Sequence, residues 1–262
     1  MTLLKGQVAI VTGGGRGLGR AVAETLAALG ASVVVASRNA PELDEVVRAI
    51  RRAKGHALAQ TADVSDDRQV QELALATERW VGPATILVNN AGMVEPVAPL
   101  VRSDPALWLR NVGVNIGGTY LPSRALLPGM LERGFGRIVN ISSGAAARPT
   151  PGWTAYSASK AGVVQLTRSL ALELEGTGVT ACAYNPGPMD TEMQERLRRM
   201  SSTDFPRADE YRQMEREGKL IDPKRAARVV AYLVLPATRR NGQAVSYDDA
   251  DLVSAVDEAL PA

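Results

Sequence analysis

The sequence predicts a single-domain α/β protein over residues 1–262, in which a doubly wound parallel sheet carries helices on both faces. Three observations predict this fold. Short apolar runs alternate with amphipathic stretches along the chain, a glycine-rich turn follows the first apolar run, and no linker, internal repeat or low-complexity segment interrupts the alternation. Repeats of strand, helix and strand give parallel strands joined by right-handed crossovers.

Apolar runs predict the strands. The run at 8–11 ends in glycines, and the run at 32–36 is β-branched, as expected of a strand that is buried on both faces of a parallel sheet. Five further runs predict strands at 57–60, 85–88, 137–141, 179–184 and 243–246. Cys182, the only cysteine, lies inside one of these runs, so we expect a buried thiol that acts as a small hydrophobe.

Helical spacing predicts the elements between the strands. Residues 17–29 place four apolar side chains on one face, those of Leu18, Val22, Leu26 and Leu29. Pro41 suits the first turn of a helix that runs to about residue 52. The same spacing predicts further helical regions at 66–80, 104–131, 155–175 and 224–235.

The segment 189–222 breaks this alternation. It is rich in Arg, Glu, Met and Ser, and it follows a strand end, where open α/β sheets bind ligands. We expect a mobile lid over a substrate, and the alternative is an excursion that only covers the sheet edge. The arginines at 196, 198 and 199 predict a solvated helix face, although they would also suit an acidic substrate.

Composition excludes several classes of protein. The chain carries 30 Lys and Arg against 28 Asp and Glu, and the basic residues are scattered, which argues against nucleic acid or an anionic membrane as the main partner. The only histidine, His56, is expected at the surface or at a strand edge, and one Cys and one His cannot form a Cys/His metal site. We find no secretory signal and no spanning apolar run, so we expect a cytoplasmic protein without a metal.

The glycine-rich turn carries the first chemical signal. Between a predicted strand and a predicted helix stand Thr12, Gly13, Gly14, Gly15, Arg16, Gly17, Leu18 and Gly19. Glycines permit positive φ and a close approach of the backbone to a pyrophosphate. The N–H groups and the dipole of the following helix favour the phosphate charge. The spacing T-G-x-x-x-G-x-G in this context therefore predicts a dinucleotide site.

The end of the second strand predicts which dinucleotide binds. A carboxylate there would bond the 2′-hydroxyl of the adenosine ribose of NAD, whereas this chain has Ser37 and Arg38. Together, Arg38 and Arg16 would bind a 2′-phosphate. We therefore expect NADP(H), and the alternative is that both arginines are only solvated.

Further motifs extend over nearly the whole chain. They are Asp63-Val64, Asn89-Asn90-Ala91-Gly92, Asn115, Ser143, Tyr156-x-x-x-Lys160 and Pro186-Gly187. In this order and at this spacing, together with the glycine turn, they resemble the classical short-chain dehydrogenase/reductase family, which has a Rossmann fold. The resemblance implies a homodimer or homotetramer. One departure is the end of the chain, 242–249, which lacks the glycine-rich stretch that often follows the last strand in the family.

The resemblance implies a catalytic set and a set of cofactor contacts. Tyr156 and Lys160 match the family pattern Y-x-x-x-K. The family spacing before the tyrosine selects Ser143 over Ser142, and it likewise selects Asn115 over Asn111. The implied cofactor contacts are Gly13, Gly15, Arg16, Gly17, Leu18, Gly19, Ser37, Arg38, Asp63, Val64, Asn90, Ala91, Gly92, Tyr156, Lys160, Pro186, Gly187, Met189 and Thr191.

These residues predict hydride transfer between nicotinamide and a ketone or secondary alcohol. Tyr156 and Lys160 share one helix face because they are four residues apart. A tyrosine pKa of about 10 is too high for efficient acid–base work at neutral pH. Our hypothesis is that the Lys160 ammonium and the charge of oxidised nicotinamide lower it. Ser143 would donate to the substrate oxygen, and Asn115 would hold a water that links Lys160 to solvent.

Two other functions fit part of the pattern. An NADP(H)-binding sensor or scaffold without turnover would keep the same fold, although all four catalytic positions are intact. Epimerisation or dehydration is typical of longer relatives with a larger C-terminal region. The sequence leaves the carbonyl or alcohol substrate open, with 3-oxoacyl thioesters as one candidate. Trp153, just before Tyr156, is expected to form a wall of the pocket.

Overall fold

The computed structural model describes residues 2–260. Seven strands form one sheet: β1 (Val8–Thr12), β2 (Ser32–Ser37), β3 (His56–Thr61), β4 (Ile86–Asn89), β5 (Gly136–Ile141), β6 (Val179–Asn185) and β7 (Ala244–Ser246). Their order is β3-β2-β1-β4-β5-β6-β7, and every neighbouring pair is parallel. The chain thus winds outward in both directions from β1 and β4, which confirms the predicted doubly wound Rossmann fold.

Helices cover both faces of the sheet. They are α1 (Gly17–Ala28), α2 (Ala40–Arg52), α3 (Asp67–Trp80), α4 (Pro105–Val112), α5 (Gly118–Glu132), α6 (Thr154–Glu173), α7 (Glu192–Arg198), α8 (Ala208–Arg216), α9 (Pro223–Leu233) and α10 (Ala250–Ala259). In the first core, Ala9 and Val11 of β1 pack with α1, α2, α9 and α10. Ile10, which points the opposite way, packs with α3 and α5 in the second core.

Several elements follow the sequence prediction closely, and others do not. Cys182 is buried in β6, and His56 is exposed at the start of the edge strand β3, as expected. The predicted helical region 104–131 is divided by a π-helical turn, Gly113–Gly117, between α4 and α5. The helix α10 was not predicted. It is short, and it packs through Leu252 and Val256.

The segment 189–222 contains α7 and α8 and lies beyond the end of β6. An isolated parallel bridge joins Met189 to Ile221, so the two ends of the segment meet. None of the helices within residues 2–260 combines the length and the apolar content needed to cross a membrane.

Candidate active site

The loops that follow six parallel strands meet at one edge of the sheet, because the carboxyl ends of parallel strands all lie there. The glycine turn follows β1, Arg38 follows β2, and Asp63 follows β3. The loop 90–92 follows β4, Ser143 follows β5, and Pro186 follows β6. The structure therefore brings the predicted site residues to one edge, with α6 and the π-helical turn packed beside it.

Hydrogen bonds hold the glycine turn against the loop after β4. The Thr12 hydroxyl accepts from the N–H groups of Asn90 and Ala91, at 3.0 and 3.1 Å. The Asn90 amide donates to the carbonyls of Thr12 and Gly13, at 2.9 and 3.1 Å. A Cβ on Gly19 would lie only 2.1 Å from the Gly13 oxygen, so this turn closes only with glycine there.

The start of α1 suits an anion. Arg16 stands at its N-cap position, and no side chain caps the helix, whereas the Asn39 side chain accepts from Glu42 N–H at the start of α2. The first turn of α1 also carries no acidic residue. Uncapped N–H groups and the helix dipole together favour a phosphate, so the turn fits the pyrophosphate of a dinucleotide.

Both arginines predicted to bind a 2′-phosphate already contact carboxylates. Arg16 forms an ion pair with Glu192, and Arg38 Nη1 lies 3.8 Å from Asp63 Oδ2. Both guanidinium side chains are more than half exposed. Burial acts to raise the pKa of Asp63, but hydrogen bonds from Ser65 and the charge of Arg38 outweigh it and lower that pKa. Asp63 is thus an ionised partner for Arg38 at neutral pH.

Tyr156, Lys160 and Ser143 meet where β5 faces α6. Lys160 Nζ donates to the Ile141 carbonyl at 2.7 Å and lies 5.8 Å from the centroid of the Tyr156 ring. The Ser143 hydroxyl lies close enough to the phenol to lower the pKa of Tyr156. Ser142 points the other way, and its buried hydroxyl donates to the Lys160 carbonyl at 3.4 Å. Of the two serines, Ser143 is therefore the one beside the phenol.

Burial shifts both titrating groups. It lowers the pKa of Lys160 to about 8, because the ammonium is removed from water. It also raises the pKa of Tyr156, against the opposing effect of the Ser143 hydroxyl. Our hypothesis is that Lys160 and oxidised nicotinamide together lower the pKa of the phenol. In the protein without the cofactor, that pKa is raised instead. A phenol that keeps its proton at neutral pH is the form that protonates a substrate oxygen.

Asn115 lies in the π-helical turn and braces the loop after β4. Its Oδ1 accepts from Met93 N–H at 2.9 Å, and its Nδ2 lies 2.8 to 2.9 Å from acceptors on Met93, Asn111 and Ser159. A π-helical turn of this kind is frequent at functional sites. The predicted water that links Lys160 to solvent stays a prediction.

Asn111, which the sequence analysis set aside in favour of Asn115, and Ser159, which it missed, both belong to this network. Asn111 Nδ2 donates to the Met93 and Glu95 carbonyls, at 3.1 and 2.7 Å. The Ser159 hydroxyl donates to Asn111 Oδ1 at 2.9 Å. The signal available was the pair of asparagines four residues apart, which places both amides on one helix face.

The remaining predicted residues follow β6. Gly187 has φ +72 and donates its N–H to Asn185 Oδ1 at 3.1 Å. Thr191 caps α7 by accepting from Gln194 N–H, and its methyl group lies 3.5 Å from the position that a Cβ on Gly17 would occupy. The segment 189–222 is therefore in contact with the glycine turn.

An aromatic cluster joins that segment to the phenol. Trp153 packs edge-on to Tyr156 at 5.0 Å between ring centroids, and it stacks on Phe205 at 4.8 Å. Tyr211 of α8 lies 5.8 Å from Phe205. Phe205 is fully buried. The rings therefore cover the side of the site that carries Tyr156, where the sequence analysis placed a wall of the pocket.

The predicted solvated face of arginines is wrong for Arg198. Its side chain is buried because that face of α7 packs against α8, and it pairs with Glu215 at 2.9 Å. Arg196 pairs with Glu95, and Arg199 pairs with Glu195. All three guanidinium groups therefore have carboxylate partners within the protein.

Comparisons with known proteins agree with this geometry. The family model described as short chain dehydrogenase matches residues 7–202. A short chain dehydrogenase of Pseudocercospora fijiensis is 41% identical over 192 residues, which are 72% of this chain but only 62% of that protein. A 3-oxoacyl-acyl-carrier-protein reductase of Synechocystis is 39% identical over 198 residues, covering 75% of this chain and 80% of that protein.

A solved structure matches almost the whole fold. It is a variant of the actinorhodin polyketide ketoreductase, crystallised with NADPH. The two chains superpose with a TM-score of 0.82 and 33% identity, over 92% of this chain and 95% of the other.

Proposed function

This chain belongs to the short-chain dehydrogenase/reductase family of oxidoreductases, and from that premise we propose an NADP(H)-dependent enzyme that interconverts ketones and secondary alcohols. One observation carries the proposal. Tyr156 lies one helical turn from Lys160, whose Nζ is 5.8 Å from the centroid of the phenol ring, and the Ser143 hydroxyl acts on the same phenol at the sheet edge that carries the glycine turn.

We assign each catalytic side chain a part in reduction. Ser143 donates a hydrogen bond to the carbonyl oxygen, where negative charge develops. Tyr156 donates its proton to the same oxygen, and its raised pKa keeps that proton available at neutral pH. Nicotinamide, when bound, supplies or accepts the hydride.

Lys160 supports the proton transfer. With a pKa of about 8, its side chain gains and loses a proton near physiological pH. That property suits a group that returns a proton to Tyr156 after each turnover. Asn115 holds the neighbouring loop in place through its hydrogen bonds with Met93. Gly92 of that loop lies between the side chains of Asn115 and Lys160. A Cβ on Gly92 would lie 2.9 Å from Asn115 Oδ1 and 3.6 Å from Lys160 Nζ.

For the cofactor, the glycine turn and the uncapped start of α1 would hold the pyrophosphate. Arg16 and Arg38 would bind the 2′-phosphate, which distinguishes NADP(H) from NAD(H). Asp63 and Val64 would contact the adenine, and Pro186, Gly187, Met189 and Thr191 would contact the nicotinamide side. The ketoreductase neighbour crystallised with NADPH supports this choice.

We also propose a homodimer or homotetramer, and a covering role for the segment 189–222. Exposed apolar side chains on α4, α5 and α6 support self-association; they are Leu109, Tyr120 and Leu172. Light scattering on the purified protein tests the proposed oligomer, and a monomer at all concentrations would contradict it.

The function is tested with a panel of ketones, assayed with NADPH and NADH in parallel. We expect steady oxidation of NADPH with at least one ketone, at a higher kcat/KM than with NADH. A preference for NADH would contradict the roles of Arg16 and Arg38. Tight NADPH binding without turnover on any ketone or alcohol would instead favour a sensor or scaffold.

A further inference from the structure

Arg148 lies beside the reactive end of the site. Its backbone N–H donates to the Gly144 carbonyl at 3.0 Å, at the end of the short 3₁₀ turn Gly144–Ala146. Its guanidinium extends over Gly144, with Nη2 3.2 Å and Nε 3.9 Å from the position that a Cβ on that glycine would occupy. Gly144 directly follows Ser143, so this positive charge lies one residue from the hydroxyl proposed to bind the substrate oxygen.

The guanidinium of Arg148 has no hydrogen bond and no carboxylate within ion-pair distance among residues 2–260. The two carboxylates on which its charge acts are engaged elsewhere. Glu210 accepts two hydrogen bonds from Arg207, at 2.6 and 2.7 Å, and Asp248 accepts from the Ser246 hydroxyl. Those hydrogen bonds are the main reason that the pKa of each carboxyl is low, and the charge of Arg148 adds to the effect.

This arginine differs from those of α7, which the sequence analysis also considered for an acidic substrate. Each α7 arginine has a carboxylate partner within the protein. Arg148 has no such partner among residues 2–260. Its charge reaches the Tyr211 hydroxyl, which also interacts electrostatically with Tyr156. The unpaired charge therefore lies beside Gly144 and within electrostatic range of Tyr211.

We propose that Arg148 binds a carboxylate of the substrate, so that the enzyme acts on oxo acids and hydroxy acids in preference to neutral ketones. The inference rests on the proposed function and adds the substrate class. A guanidinium presents a planar pair of donors that matches a carboxylate. Because Arg148 is exposed, a carboxylate of a bound substrate can reach its guanidinium.

The test compares oxo acids with their methyl esters, because each ester keeps the carbonyl and loses the charge. Pyruvate, acetoacetate, levulinate and 5-oxohexanoate, each with its ester, vary the distance between carbonyl and carboxylate. We expect the wild-type enzyme to prefer the acid for at least one chain length. Arg148→Met should lower kcat/KM for that acid by about 10- to 100-fold, as expected for a lost hydrogen bond to a charged group, and leave the ester nearly unchanged.

Two further variants and a salt series make the test specific. Arg148→Lys keeps a charge but not the planar pair of donors, so its loss should be intermediate. Arg48→Met removes an exposed arginine from α2, away from the site, and should behave as wild type. In the wild-type enzyme, raising the salt from about 0.05 M to about 0.5 M should lower kcat/KM for the acid more than for the ester.

Three results would overturn the inference. They are a wild-type preference for the ester at every chain length, an equal loss on acid and ester in Arg148→Met, and equal salt effects on both. In each case turnover of the esters would leave the proposed function intact. Absence of turnover with every compound would remove the proposed function, and the inference with it.

Discussion

Arg16 of the glycine turn forms an ion pair with Glu192, the first residue of α7. One contact therefore joins the turn proposed to hold the cofactor to the segment 189–222, which we propose covers the site. The 2′-phosphate of NADP(H) would compete with Glu192 for the same guanidinium, since both are anions that bind its planar donors.

Removing the charge of Glu192 tests that competition. Glu192→Gln should tighten NADPH binding by up to about fivefold, because an exposed ion pair contributes at most about 1 kcal/mol. NADH, which has no 2′-phosphate, should bind unchanged. Titration of nicotinamide fluorescence measures both. Glu195→Gln, on the same helix but paired with Arg199, is the control. Equal tightening for both cofactors would show that Arg16 does not meet the phosphate.

A methyl group at Gly19 should disrupt the turn. A Cβ there would lie 2.1 Å from the Gly13 oxygen, so the backbone must shift. Gly19→Ala should lower the free energy of unfolding by about 1–3 kcal/mol and weaken NADPH binding strongly. Gly113→Ala is the control, because it has helical φ and nothing within 4 Å, and it should be neutral or stabilising. Urea unfolding measures the loss of stability, and NADPH titration measures the loss of binding. Unimpaired NADPH binding by Gly19→Ala would contradict the proposed role of the turn in holding the cofactor.

Lys160 should make stability depend on pH. Its pKa of about 8 in the folded protein lies below the ordinary 10.5, so between these values the unfolded chain holds more protons and stability rises with pH. Lys160→Met lacks this rise. The free energy of unfolding of wild type minus that of the variant should therefore increase by about 1–2 kcal/mol from pH 8 to pH 10.

Comparing wild type with Lys160→Met cancels the effect of the other titrating groups on stability, because both proteins contain them. Burial raises the pKa of Cys182 to about 12, which opposes the rise equally in both. Urea unfolding at several pH values gives the difference directly. A difference that stays constant or falls with pH would show that the ammonium of Lys160 is not disfavoured by burial.

The sequence predicted the sheet edge well because strand spacing and parallel pairing determine which loops meet there. The glycine turn, Arg38, Ser143 and Tyr156 all lie where the strand pattern placed them. Their catalytic and binding roles stay predictions.

Long-range side-chain contacts could not be predicted from local patterns. Arg16 and Glu192 are 176 positions apart, and nothing near either residue indicates its partner. The aromatic cluster likewise depends on how α8 packs against Trp153. The burial of Arg198 follows from the packing of α7 on α8, whereas its local sequence is that of a solvated helix face.

Phe205 should matter for substrate binding more than for cofactor binding. It is fully buried and stacks on Trp153, so Phe205→Ala leaves a cavity against Trp153, which itself packs on Tyr156. We expect KM for a ketone to rise by about tenfold or more, with NADPH affinity within about twofold of wild type, since a large-to-small change there loses packing of several kcal/mol. Phe135→Ala, at the only other phenylalanine, is the control in the same steady-state assay. A rise confined to the NADPH Kd would contradict this role.

The central claim is that the Tyr156 hydroxyl transfers the proton, and Tyr156→Phe tests it most directly. The matched control is Tyr184→Phe, since Tyr184 is buried in β6 and its hydroxyl has no hydrogen-bond partner among residues 2–260. NADPH oxidation with a ketone and the NADPH Kd are measured for both variants. We predict that Tyr156→Phe binds NADPH as wild type does but loses about 10²- to 10⁴-fold in kcat, whereas Tyr184→Phe keeps both. A kcat of Tyr156→Phe close to that of wild type would contradict the account.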